Sequence, residues 1–134
     1  MTTTIAEVDL GVHVDLHIPQ GADWPGLAFP ILDANDSPVD LSDCTAIGQI
    51  RKTARAPEAL FTWSDTPVGI DQGRVTFDGN LLGISVLGAA SSGWTFREAA
   101  YDVFLTNPNA PQGQQIIKVG WGLVIVTPQI SRLS

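Results

Sequence analysis

Hydrophobic residues in this chain recur at a spacing of two, and no segment sustains the 3.6-residue period of an amphipathic helix. That property confines the fold to sheet architectures. Residues 11–18 alternate most cleanly, with Val12, Val14, Leu16 and Ile18 on one face and His13, Asp15 and His17 on the other. Further strands are predicted over 24–32 (Leu27, Phe29 and Ile31 on one face), 44–52, 60–64 (Phe61 and Trp63 together) and 74–78 (Val75 and Phe77 inward). The remainder are 81–87, continuing past a kink at Gly79-Asn80, then 95–106 (Tyr101, Val103 and Leu105 together) and 114–127.

Turn chemistry separates these runs. The most telling stretch, 33–52, reads DANDSPVDLSDCTAIGQIRK: a strand end, an acidic turn, a Pro-Val-Asp-Leu step and a strand closing on Arg-Lys. Asp and Asn side chains bond nearby backbone groups, and Pro38 presets its own φ. Pro25 and Pro30 cannot donate to a ladder, so the strand holding them belongs at an edge or carries a bulge. Gly120 and Gly122 flank Trp121, which marks a bulge or a close backbone approach. NPNAPQG at 107–113 is a hairpin loop, and 88–93 is a loop or one helical turn. The expectation is an all-β, antiparallel sandwich or barrel of about seven to nine strands. It forms one domain over 11–128, between an N-terminal arm, 1–10, and a C-terminal tail, 129–134. Each arm either adds a strand to a neighbour or is a frayed end.

Composition narrows the function classes. A chain of 134 residues buries roughly two-thirds of its unfolded surface without needing disulfides. It is 44% hydrophobic and only 16% charged, which fits either a well-filled core or apolar surface covered by partner chains. The net charge of −7 opposes binding to nucleic acid or to an anionic membrane. One local exception, Arg51, Lys52 and Arg55, is either a contact for an acidic partner or a solvated strand end. Cys44 is the sole cysteine, so no intrachain disulfide can form, and synthesis in a reducing cytoplasm is expected. Cys44 itself reads as a small core residue. The first residues lack the basic-then-apolar order of a signal peptide. The longest apolar runs, 81–90 and 119–126, fall short of the ~20 residues that cross a bilayer as a helix.

Motifs for chemistry are absent or incomplete. His13 and His17 share a strand face but lie about 13 Å apart, too far to hold one metal. Gly83-Ile84-Ser85-Val86 is followed by Leu87, where a nucleophile elbow needs a second glycine. Asp33, Asn35, Asp36, Asp40 and Asp43 form an acidic cluster, yet Pro38 and Cys44 stand where a helix-loop-helix calcium site needs glycine and glutamate. Turn chemistry accounts for the cluster, with a looser loop calcium site as the alternative. No phosphate-binding glycine loop is present. The expectation is therefore a protein that is not an enzyme and has no cofactor or metal. Candidate interaction residues are Trp24, Trp94 and Trp121, with Arg51, Lys52 and Arg55. Together with Trp63, the tryptophans are either core and interface residues or platforms for stacking on sugars.

The order of features resembles a known family. Gln20-Gly21-Ala22-Asp23 precedes an apolar strand. DANDSPVDLSDCTAIGQIRK follows, then Gly73-Arg74-Val75-Thr76-Phe77, then Ala100-Tyr101-Asp102-Val103-Phe104-Leu105-Thr106, and a last strand ending VTPQIS. This set, across about residues 16–132, resembles the β-sandwich domain of small tail proteins of tailed bacteriophages: lower tail-fibre connectors and baseplate adaptors. The sequence departs from that pattern in lacking a polar short helix before the Tyr-Asp strand and in its proline-rich loop at 107–113. The resemblance implies an Ig-like sandwich, no catalysis, and a place in the virion tail after synthesis in the host bacterial cytoplasm. The implied partners are other tail or baseplate proteins, with several copies in a symmetric assembly and no nucleic acid or membrane. A carbohydrate-binding module for host recognition, and a head-to-tail or head-decoration protein, are the alternatives.

Overall fold

The computed structural model describes residues 11–33, 35–66, 72–113 and 115–128. Among them are nine strands and one helical turn: β1 (Val12–His13), β2 (Leu16–Pro19), β3 (Trp24–Pro30), β4 (Thr45–Arg51), β5 (Phe61–Ser64), β6 (Gly73–Asp78), β7 (Leu81–Val86), α1 (Gly88–Ser91), β8 (Glu98–Thr106) and β9 (Ile116–Thr127). The expected arms, 1–10 and 129–134, lie outside the described residues.

The all-β expectation is met; the pairing differs from the one expected. The strands form one continuous hydrogen-bonded path, β1-β9-β8-β4-β5-β6-β7-β3, with β2 also on β9. β1 and β2 run parallel to β9, and β5 runs parallel to β6, so the sheet is mixed and not purely antiparallel. The outcome is a curled half-barrel where separate layers of an antiparallel Ig-like sandwich were expected. Period-two alternation specifies which side chains share a face. It carries no information on strand direction, which depends on whether a turn or a crossover joins two strands.

Other boundaries shift for local reasons. Gly79-Asn80 is no kink but the turn of the β6–β7 hairpin, in which Asp78 pairs with Leu81 and Gly79 takes φ 62°. The run 11–18 is split into β1 and β2, although both keep the same register against β9. β3 ends the path and pairs only with β7, with a register shift between Trp24 and Leu27, which matches the edge or bulge read from its prolines.

Curling encloses the core. Phe61, Trp63, Tyr101 and Trp94 form a chain of edge-on aromatic contacts, and Trp63 is fully buried with its Nε1 donating to the Ser85 carbonyl at 3.1 Å. Cys44 is buried just ahead of β4. Across the interior, β3 comes back to face β9: the Phe29 ring occupies the space where Gly120 has no side chain. A Cβ on Gly120 would lie 2.6 and 2.8 Å from that ring. Gly120→Val should therefore destabilise the fold by about 1–3 kcal/mol, as overpacked cores do. Urea titration should show part of that loss recovered by a second change, Phe29→Leu. Full additivity of the two changes would mean that the rings and strands do not meet there.

Candidate functional site

The outward face of β9, β8, β4 and β5 is assembled by the register. One row reads His13, Trp121, Asp102, Gln49 and Thr62 across β1, β9, β8, β4 and β5. The next row reads Lys118, Phe104, Ile47 and Ser64, and the row on the other side Leu123, Ala100 and Arg51. Inward neighbours alternate with these: Tyr101, Val103 and Leu105 on β8 and Val124 and Val126 on β9 are buried. Outward, Trp121 (40%), Leu123 (39%), Ile47 (50%) and Ile116 (67%) keep large fractions of their surface in solvent. Apolar residues thus occupy both faces of β9, and the outer ones lack cover among the described residues.

Side-chain bonds fix the edge of this face. In the β1–β9 ladder, Val14 N–H donates to the Trp121 carbonyl at 3.0 Å. The next parallel ladder bond, from Leu123 N–H to the Val14 carbonyl, is replaced. Leu123 N–H donates instead to Asp15 Oδ1 at 3.0 Å, and the Tyr101 hydroxyl donates to the Val14 carbonyl at 2.6 Å. This substitution separates β1 from β2. A Cβ on Gly122 would run into that same carbonyl. Asp15 also contacts His13 Nε2 at 3.1 Å, and the His13 ring stacks on Trp121 with centroids 4.4 Å apart. Burial, with a smaller contribution from Asp15, pushes the Tyr101 phenol well above its ordinary value.

Asp102 lies at the centre of the face. Its carboxylate is half-buried and accepts no hydrogen bond among the described residues. Desolvation raises its pKa, opposed in part by Lys118 and Arg51. Neither cation is committed to it: Lys118 Nζ rests over the Phe104 ring at 5.6 Å, and Arg51 donates to the Ala56 carbonyl at 2.9 Å and to Gln49 Oε1.

The six residues singled out from sequence do not form one site. Trp121 lies exposed on the outer face, and Arg51 lies at its border. Trp94 is a core residue, stacked on Phe96 with centroids 4.9 Å apart. Trp24 packs half-buried against the core at the far end of the sheet path. Lys52 and Arg55 are exposed in the β4–β5 loop, and Arg51 is tied to that loop through Ala56. Ile47, Phe104, Leu123, Asp102 and Lys118 were not anticipated. Their signal was legible in β9, whose nearly unbroken apolar run is what burial on both faces requires.

The acidic cluster is built as turns. Asp33 Oδ1 accepts from the Asn35 and Ser37 amides at 2.8 and 3.0 Å, and Asp40 Oδ1 from the Ser42 amide at 3.0 Å. Among the described residues no three His, Cys, Asp or Glu side chains converge as metal ligands. Ser85 sits within β7 with ordinary strand pairing to Arg74. No protein-family model matches the chain, and no curated protein matches it.

Two titrations test this geometry. The folded pKa of Tyr101 lies above its unfolded value near 10, so its stabilisation is complete below pH 10 and is lost as pH rises beyond it. Tyr101→Phe should cost about 1–2 kcal/mol at neutral pH, leaving the Val14 carbonyl unpaired, and should flatten the alkaline decline in Tm. Asp102 is the reverse in consequence: its raised pKa means that the ionised carboxylate costs stability at neutral pH. In protein dilute enough for the chains to be separate, Asp102→Asn should raise Tm at pH 7, and the gain should vanish as pH falls through the carboxylate range. An unchanged or lower Tm at pH 7 would show that the carboxylate is supported where it stands.

Proposed function

We propose that this chain is a non-enzymatic structural protein of a tailed-phage virion: a tail, baseplate or tail-fibre connector that assembles through protein–protein contacts. The observation that carries the reading is the outer face of β9, β8 and β4, where Trp121, Leu123, Ile47 and Ile116 stand exposed beside half-buried Phe104. Isolated exposed apolar residues are ordinary, but a contiguous set on one rigid sheet is a contact surface. The ordered motifs from DANDSPVDLSDCTAIGQIRK to VTPQIS supply the virion context by resemblance. In this reading the half-barrel is a connected variant of that family's Ig-like sandwich, with β3 facing β9 across the core as opposed layers would. Partners are other tail or baseplate proteins, in several copies around a symmetry axis, and the place of assembly is the host bacterial cytoplasm. The role calls on no catalytic group, cofactor, nucleic acid or membrane.

A second reading has its own support. Trp121, Asp102 and Gln49 occupy one row, and a sugar could set its C–H face on the indole while a hydroxyl donates to the free carboxylate. That arrangement favours a carbohydrate-binding module in host recognition. A head-to-tail or head-decoration protein would use the same contact surface and differ only in location.

Immunogold electron microscopy of purified virions, with antibody against this chain, separates these. Gold on the tail or its tip is the expected result. Gold on the head would favour the decoration role. Particles without gold, despite accessible epitopes, would overturn the virion reading. Quenching of tryptophan fluorescence by host cell-wall glycans, lost in Trp121→Ala, would put the sugar-binding module in its place.

A further inference from the structure

The outer face has a charge pattern that fits itself. Cross-strand pairing puts Trp121 beside Asp102 and Lys118 beside Phe104, with a bulge at Val119 on β9 between the two pairs, so the four residues stand at the corners of an irregular quadrilateral about 5 by 7 Å. One diagonal joins the two aromatic residues, and the other joins the acid to the base. A two-fold axis lying in the plane of the face along the Trp121–Phe104 diagonal leaves each aromatic against its own symmetry mate. It carries each Asp102 to within about 3 Å of the Lys118 position of the other copy, an offset that the flexible four-carbon stem of lysine can span. An isologous interface requires such reciprocity, in which residue i meets j and j meets i. The same operation turns Ile47 toward the Ile116 end of the opposite β9.

Three further observations point to a copy of this chain as the occupant. Arg51 and Lys118 balance Asp102 and Glu98 on the outward side of β9, β8 and β4, so the excess of the −7 net charge lies elsewhere. On these three strands a second copy therefore meets no net like charge. Among the described residues the Asp102 carboxylate accepts no hydrogen bond, and covering it with a surface that offered no donor would leave a costly unpaired charge. Lys118 rests over Phe104 and acts on Asp102 without a direct ion pair among the described residues, so it can turn outward without breaking one.

We propose that this face is a homodimer interface, in which Trp121 and Phe104 stack on the two-fold axis and two reciprocal Asp102–Lys118 pairs flank them. The proposal rests on reading this face as a contact surface and names its occupant.

Sedimentation of the full chain tests it through a charge exchange. Wild-type protein should sediment as a dimer at ~50 µM, a concentration suited to micromolar association. Asp102→Lys alone and Lys118→Asp alone should each weaken association at least tenfold, because each sets like charges against one another. The double variant Asp102→Lys/Lys118→Asp should recover it. Circular dichroism and Tm confirm that every variant is folded, and the exchanged pair keeps composition constant. A monomeric wild-type chain, a dimer indifferent to either single change, or a double variant that stays monomeric would overturn the proposal. A glycan that binds wild type and Lys118→Asp alike would also count against it, by giving Asp102 a different occupant. Immunogold labelling is independent of all these outcomes: a labelled tail with a monomeric chain in solution removes only the dimer, and a dimer absent from virions removes only the virion role.

Discussion

The two ends of the half-barrel meet across the interior at the Phe29 ring, which is seated where Gly120 has no side chain. β3 and β9 are nearly at opposite ends of the strand path, and hydrogen bonds between neighbours alone would leave the interior open along that seam. Interior packing tolerates few voids, so an open seam would cost the surrounding side chains their contacts. A large ring on the last strand of the path and a glycine on the longest strand solve this together. The aromatic series from Phe61 through Trp63 to Tyr101 then fills the space that the closure encloses.

Much of this was readable from residue order. Phe61 with Trp63, and Tyr101 with Val103 and Leu105, were placed on common faces by alternation, and they are buried. Pro25 and Pro30 marked an edge strand or a bulge, and the glycines around Trp121 a bulge or a close approach, because each rests on local sterics that the sequence states directly. Strand direction was not readable. The parallel partners of β9 and β6 follow from where long connections bring the chain back, which no local pattern records. The tryptophans divide for the same reason. Trp94 and Trp121 look alike as residues, yet one lies between Phe61 and Phe96 and the other beside a histidine at the surface. The candidate face was half visible, since β9 is apolar at successive positions. Asp102 was hidden, because its importance lies in the neighbours that three separate strands bring to it.

The outer face departs from what stability alone would select. A half-buried carboxylate without a hydrogen bond, ringed by Ile47, Phe104 and Trp121, works against the free chain. The cations nearby are diverted, one onto an aromatic ring and one into a loop. Local rules are commonly broken at sites kept for use and not for folding. Elsewhere the polar groups are satisfied: among the described residues no buried side-chain nitrogen or oxygen lacks a partner. Asp102 does not break that rule, because its carboxylate is half-buried and keeps contact with solvent.

The parallel docking of β1 and β2 on β9 has a consequence in time. Their partners lie near the other end of the chain, with Leu16 against Val124 and Ile18 against Val126. A ribosome delivers the early strands first, and their ladder does not exist until the chain has been made as far as Val124–Thr127. Leu16 and Ile18, fully enclosed in the finished fold, must wait uncovered until Val124 and Val126 are made. Long-range pairing of this kind slows folding and prolongs the exposure of sticky segments. His13, Asp15 and His17, polar and interleaved with those apolar residues, keep the waiting strand compatible with water until its partner arrives.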